Sequence, residues 1–178
     1  DHYTLQQFEP SLFDEIAGFL TNPALQALLV TLIFGGIFME LKTPGIGLPT
    51  AVACTAAVLY FAPLYIDGLA ANWEILIFVV GVILLIFEIF VIPGFGIAGI
   101  SGFILILAAL VLALLGNVNF NFDFVPSVEI GKGLITVVSG IIIYAVLLLV
   151  FFKKLTSKGP IGRLALHSAQ DKEAGYIG

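Results

Sequence analysis

Charge is what this sequence has least of. Only 11% of its residues are Asp, Glu, Lys or Arg, against roughly 25% in a soluble domain, while 60% are hydrophobic. A water-soluble fold of 178 residues would lack the polar surface to coat its own core, so lipid has to do the coating. Cysteine is nearly absent: Cys54 stands alone inside an apolar run, which excludes a disulfide framework within the chain. The two histidines, His2 and His167, lie outside every apolar run, and no His/Cys/Asp/Glu cluster has ligand spacing, so no metal and no cofactor is expected. No phosphate loop is present, and six scattered basic residues beside apolar runs suit membrane topology better than nucleic acid. A basic n-region ahead of a short apolar stretch is also missing, and the chain opens on Asp1. It therefore reads as a piece of a longer precursor.

What remains is a succession of long apolar runs. Residues 24–41, 48–66, 75–92, 97–115 and 134–152 each come close to the ~20 residues that cross a bilayer at ~1.5 Å per residue. The expected fold is an all-α integral membrane protein of about five transmembrane helices. Ahead of them, residues 1–23 form an acidic segment in which Ser11 caps a short amphipathic helix lying on the membrane surface, and Asn22-Pro23 starts the first span. Residues 153–178 form a basic tail leading towards a further domain.

Basic residues set the orientation. Lys42, Lys153, Lys154, Lys158, Arg163 and Lys172 fall on one side of a five-span topology and only Lys132 on the other. The C-terminus is therefore expected in the cytoplasm and the N-terminus outside. The loop between the fourth and fifth spans alternates polar and apolar residues, with Val118, Phe120, Phe122 and Phe124 on one side, which is a strand pattern. It reads either as a ribbon resting its phenylalanines on lipid or as an edge that pairs with a partner.

The most informative feature is a duplication. Glu40, then Pro44-Gly45-Ile46-Gly47, links the first span to the second. Glu88, then Pro93-Gly94-Phe95-Gly96, links the third to the fourth with one more spacer residue. Both copies follow odd-numbered spans, so they define two tandem hairpins of the same orientation. Proline stops the helix and glycine accepts a tight turn. A glutamate at a helix C-terminus meets the unfavourable end of the dipole and needs donors, which the N–H groups of its own turn can supply; Lys42 is a further candidate for Glu40. The brace reading competes with a functional acid in a proton or ion path. Small residues after each turn, Ala53 and Ala57 in one copy and Ala98 and Gly102 in the other, are expected to pack the two hairpins on each other, or to serve homo-oligomerisation. Gly99-Ile100-Ser101-Gly102 matches a string used by intramembrane serine proteases, but no base lies within a span to activate the serine.

The segments Glu40 to Gly47 and EIFVIPGFGIAGISG from Glu88 to Gly102 resemble the NfeD family, particularly its long form, which is similar to ClpP-class membrane-bound serine proteases. That resemblance implies an N-terminal serine–lysine protease domain and a C-terminal OB-fold flanking a multi-span region, of which this chain matches only the middle. No catalytic residue carries over. It further implies residence in the bacterial inner (plasma) membrane and docking to stomatin/flotillin-type (SPFH) proteins. Three roles follow as expectations: a membrane anchor and scaffold assembling with SPFH proteins or with itself; a small transporter or channel subunit using Glu40 and Glu88; or the membrane part of a protease whose catalytic domain lies elsewhere.

Overall fold

A computed structural model describes residues 11–42, 47–91, 96–116, 122 and 125–158. They form six helices: α1 Leu12–Leu20, α2 Pro23–Lys42, α3 Leu48–Ile66, α4 Asn72–Val91, α5 Ile97–Ala113 and α6 Ser127–Lys158. No strand occurs among the described residues. By length and composition α2, α3 and residues 127–151 of α6 can each cross a membrane; α5 is a shorter apolar helix. With 35 large apolar side chains facing outward among the described residues, many along α4 and α6, the chain is an integral membrane protein whose outer coat is lipid.

The boundaries follow from local chemistry. Asn22 caps α2, its Oδ1 accepting the Ala24 N–H at 2.9 Å ahead of Pro23 in the first turn. At the far end of α3, Gly68 adopts φ +73° and the Leu69 and Ala70 N–H groups both donate to the Leu64 carbonyl, which ends the helix. α6 departs from expectation. Apolarity suggests a fifth span over 134–152, but the helix runs from Ser127 to Lys158. Hydropathy marks where a helix meets lipid, whereas the helix itself continues until a breaker. Pro126 opens this one, and its carbonyl accepts the Glu129 N–H at 2.9 Å. At 32 residues it is roughly 48 Å long, well beyond the hydrocarbon core, so its polar ends lie in the headgroup layers.

α2 pairs with α3, α4 with α5, and α6 lies along α2. One apolar core joins them, centred on Val30, Ile33, Tyr60, Leu64, Ile106 and Leu110, all essentially inaccessible. The hairpins are locked together by Phe61 against Phe78 (ring centroids 5.2 Å apart), by Phe34 against Phe103 (5.4 Å), and by the Tyr60 hydroxyl, which donates to the Leu110 carbonyl at 2.7 Å. That carbonyl lies in the last turn of α5, and the Leu114 N–H that would continue the helix onto it donates to the Val111 carbonyl instead. Glu40 and Leu41 of α2, Thr50 of α3 and Leu85 and Ile86 of α4 line a common cleft, so both Glu-bearing helix ends lie at the same end of the bundle.

Within each pair the helices approach at glycine. A Cβ on Gly81 would lie 2.8 Å from the Gly102 carbonyl oxygen, and one on Gly102 2.7 Å from that of Gly81. In the other hairpin a Cβ on Gly36 would meet the Ala53 Cβ at 2.8 Å. α6 uses the same device: Gly140 abuts Ala27 and Val30, and its carbonyl accepts the Thr31 hydroxyl at 2.8 Å. The expectation that Ala53 and Gly102 pack one hairpin on the other is therefore corrected. They close each hairpin internally, because neighbouring antiparallel helices joined by a short turn are the pair with backbones close enough to need them.

Substituting Gly102→Val should prevent α4 and α5 from closing, and the folded yield in detergent should fall sharply. Gly131 has open space around it, so Gly131→Ala should leave the melting temperature unchanged or raise it, helix propensity favouring alanine by about 1 kcal/mol. Equal effects of the two substitutions would refute the close-approach account.

Candidate functional site

Glu88 lies in the last turn of α4 and is only 3% exposed. Its Oε1 accepts the Gly96 N–H and its Oε2 accepts the Gly99 N–H at 3.1 Å. Gly96 is the N-cap residue of α5, has no side chain to cap with, and Gly99 is three positions further on. The carboxylate of one helix thus takes the place of the missing cap on the next. It leaves the unfavourable end of its own dipole for the favourable end of its neighbour's. Two charge-assisted bonds at about 1.5–3 kcal/mol each exceed the burial cost of a charged group at a helix end, which is below the about 2.5–3.5 kcal/mol of the bilayer centre.

The glycines make room for this. Gly96 has φ −99°, which any residue can adopt, so backbone freedom is not what selects glycine there. A Cβ on Gly96 would come within 3.0 Å of Glu88 Oε1, and one on Gly99 within 3.0 Å of Glu88 Cγ. In the first copy Gly47 has φ +72°, a left-handed conformation that L side chains avoid. Glu40 is half-buried and lines a cleft of about 310 Å³ between α2, α3 and α4, whose walls are otherwise almost wholly apolar. Lys42, its candidate partner, places its ammonium over the Phe38 ring, 5.5 Å from the centroid.

Pro44, Gly45, Pro93 and Gly94 lie outside the described residues, as do Val118, Phe120 and Phe124. Phe122, the described member of the alternating stretch, is exposed and outside regular structure, with its carbonyl accepting the Val125 N–H at 3.0 Å. Ala57 is half-buried in the wall of the cleft that holds Glu40. Ala98 is half-buried too, and its carbonyl accepts the Ser101 hydroxyl at 3.1 Å, a local helix contact that accounts for that serine. Sequence reasoning passed over Gly36 and Gly81, the partners of Ala53 and Gly102, and Gly140, which abuts Ala27 and Val30; their signal was glycine inside an otherwise apolar helix. It also passed over Glu74, fully buried and accepting the Ala71 N–H at 2.7 Å. Its signal was an acid in the first turn of α4, where a side chain reaches back to cap the helix start.

Removing both bonds with Glu88→Ala should destabilise the fold by about 3 kcal/mol, read as a lower unfolding temperature in detergent. Glu88→Gln keeps an acceptor oxygen and should lose roughly half as much. A Glu88→Gln protein that assembles normally while proteoliposomes lose ion or proton flux would replace the brace with a transport role.

Residues 24–153, well over half of the chain, match the family described as the NfeD integral membrane domain. The chain is also similar to membrane protein NfeD1b of Bacillus subtilis (strain 168), 42% identical over 103 residues, which is 58% of this chain and 23% of that protein. It thus spans about a quarter of the length of that relative. No solved structure matches. With the duplicated Glu and Pro-Gly-x-Gly elements falling inside the matched stretch, the chain belongs to the NfeD family, through its integral membrane domain.

Proposed function

We propose that this region is a membrane anchor and scaffold that holds an NfeD-like protein in the bilayer and assembles it with SPFH proteins. The observation that carries this reading is the use to which Glu88 is put. An acid that shuttles protons or ions must be reached by water and change partners, whereas the Glu88 carboxylate is buried and bonded through both oxygens to backbone N–H groups. In this reading the duplicated acids serve construction, and the chain itself carries out no catalytic step. The partner class comes from the family resemblance. The exposed apolar faces of α4 and α6, with Leu76, Ile83, Ile135 and Leu149 each more than half exposed, supply lateral surface for it.

A protease reading rests on a separate observation: 77% of the Bacillus relative lies outside the matched stretch (the remainder after 23%) and has room for further domains. Under that reading the membrane region positions a catalytic domain carried elsewhere, which is still anchoring.

Purification after gentle solubilisation should bring down an SPFH protein in fixed ratio, or yield a defined homo-oligomer. A chain that runs as a monomer with neither would sink the scaffold reading. We further propose the N-terminus outside and the C-terminus in the cytoplasm of a bacterial inner membrane, from the side on which Lys42, Lys153, Lys154 and Lys158 fall. In a Cys54→Ala background, Ser11→Cys should react with a membrane-impermeant maleimide on intact cells and Ser157→Cys only after permeabilisation. The reverse pattern would invert the topology.

A further inference from the structure

At the end of the bundle opposite the glutamates, the start of α2, the end of α3, the residue after α5 and the start of α6 enclose a second cleft of about 220 Å³. That is below the ~300–1,000 Å³ of a pocket for a drug-sized molecule, and suits a headgroup-sized one. Its chemistry is mixed, unlike that of the apolar cleft holding Glu40. Glu129 and Lys132 stand three residues apart on α6, both exposed at the rim, and Thr136 follows one turn deeper, 7% exposed.

Gln26 forms part of the wall and is wholly inaccessible. Its Nε2 donates to the Leu20 carbonyl at 2.7 Å, which fixes the amide orientation. Its Oε1 is then an acceptor with no hydrogen-bond partner among the described residues. A buried acceptor left unpaired is costly, so this one calls for a donor.

We propose that this cleft binds the headgroup of phosphatidylethanolamine. The ligand has to bring an N–H donor to Gln26, a positive charge towards Glu129 and a negative charge towards Lys132. A phosphoethanolamine group does all three, its ammonium having three donors and its phosphate lying a short linker away. Phosphatidylcholine carries the same charges but has no N–H to donate. Phosphatidylglycerol has hydroxyl donors but no cation for Glu129. The position agrees with a lipid source: the cleft lies at the helix ends, where headgroups sit, and Ile66 and Leu69 beside it expose apolar side chains along which acyl chains can run.

The test is native mass spectrometry of the full chain released from nanodiscs of equal parts phosphatidylethanolamine, phosphatidylcholine and phosphatidylglycerol. Phosphatidylethanolamine should be retained about tenfold over phosphatidylcholine, the preference expected from one charge-assisted hydrogen bond. Gln26→Leu should abolish that preference. Lys132→Ala, at the exposed rim where folding does not depend on it, should weaken retention of phosphatidylethanolamine and give an answer even if Gln26→Leu fails to fold. Equal retention of the two zwitterionic lipids, or unchanged retention of phosphatidylethanolamine in Lys132→Ala, would overturn the proposal. A rise in melting temperature with free O-phosphoethanolamine equal to that with the lipid would overturn the lipid as the source.

Discussion

A helix that begins in the packed end of a bundle leaves its first backbone N–H groups without intrahelical partners, and everything else in this fold depends on how that problem is met. The Pro-Gly-x-Gly elements interrupt the chain twice, turning apolar runs into hairpins. At the second interruption the first N–H groups of α5 are taken up by the Glu88 carboxylate, which binds Gly96 and Gly99. Because the acid comes from the preceding helix, the contact also fixes the end of α4 against the start of α5. A capping interaction local to α5 would have satisfied the donors without joining the helices. The charge is stable in place because the helix terminus it faces is the positive one.

Once the ends are joined, close approach along the length of each pair follows from residue size. Lipid offers no hydrophobic drive for one apolar helix to prefer another, so contact has to come from dispersion between tightly fitted surfaces. Glycine supplies the fit at Gly36, Gly81, Gly102 and Gly140. The positions are related by the duplication: Ala53 lies nine residues after Pro44, and Gly102 nine residues after Pro93 (53 − 44 and 102 − 93). The same repeat position therefore marks the tight contact in both hairpins. Backbone carbonyls that such contacts expose find donors across the interface, as the Gly140 carbonyl does in Thr31.

Much of this was legible beforehand because the membrane makes sequence signals blunt. Long apolar runs locate helices, and a glutamate beside a Pro-Gly turn announces that donors must be near. The Asn22 cap and the short helix after Ser11 were readable for the same reason, each resting on chemistry within four residues. The misplaced features depend on contacts distant in sequence. Nothing near Ala53 or Gly102 says which helix it will touch, so hairpin-on-hairpin packing was as plausible as closure within a hairpin. The Tyr60 bond to Leu110 spans fifty residues and has no local signal. The start of α6 was missed because its first turns, through Glu129 and Lys132, are too polar for a hydropathy criterion although nothing in them breaks a helix.

The two copies of the motif share a pattern but differ by a single spacer residue. One residue turns a helical side chain by about 100°, so a glutamate four residues before the proline and one five residues before it face different directions. Glu88 points at the start of the next helix, where Gly96 keeps an ordinary backbone angle and Gly99 leaves space for the carboxylate. In the first copy the residue matching Gly99 is Thr50, six positions after Pro44 as Gly99 is six after Pro93, and Thr50 is exposed. There the turn is shaped by the left-handed Gly47, with Pro49 setting the first turn of α3. The second hairpin is thus braced through the Glu88 side chain, and the first carries a left-handed glycine where the second has an extended one.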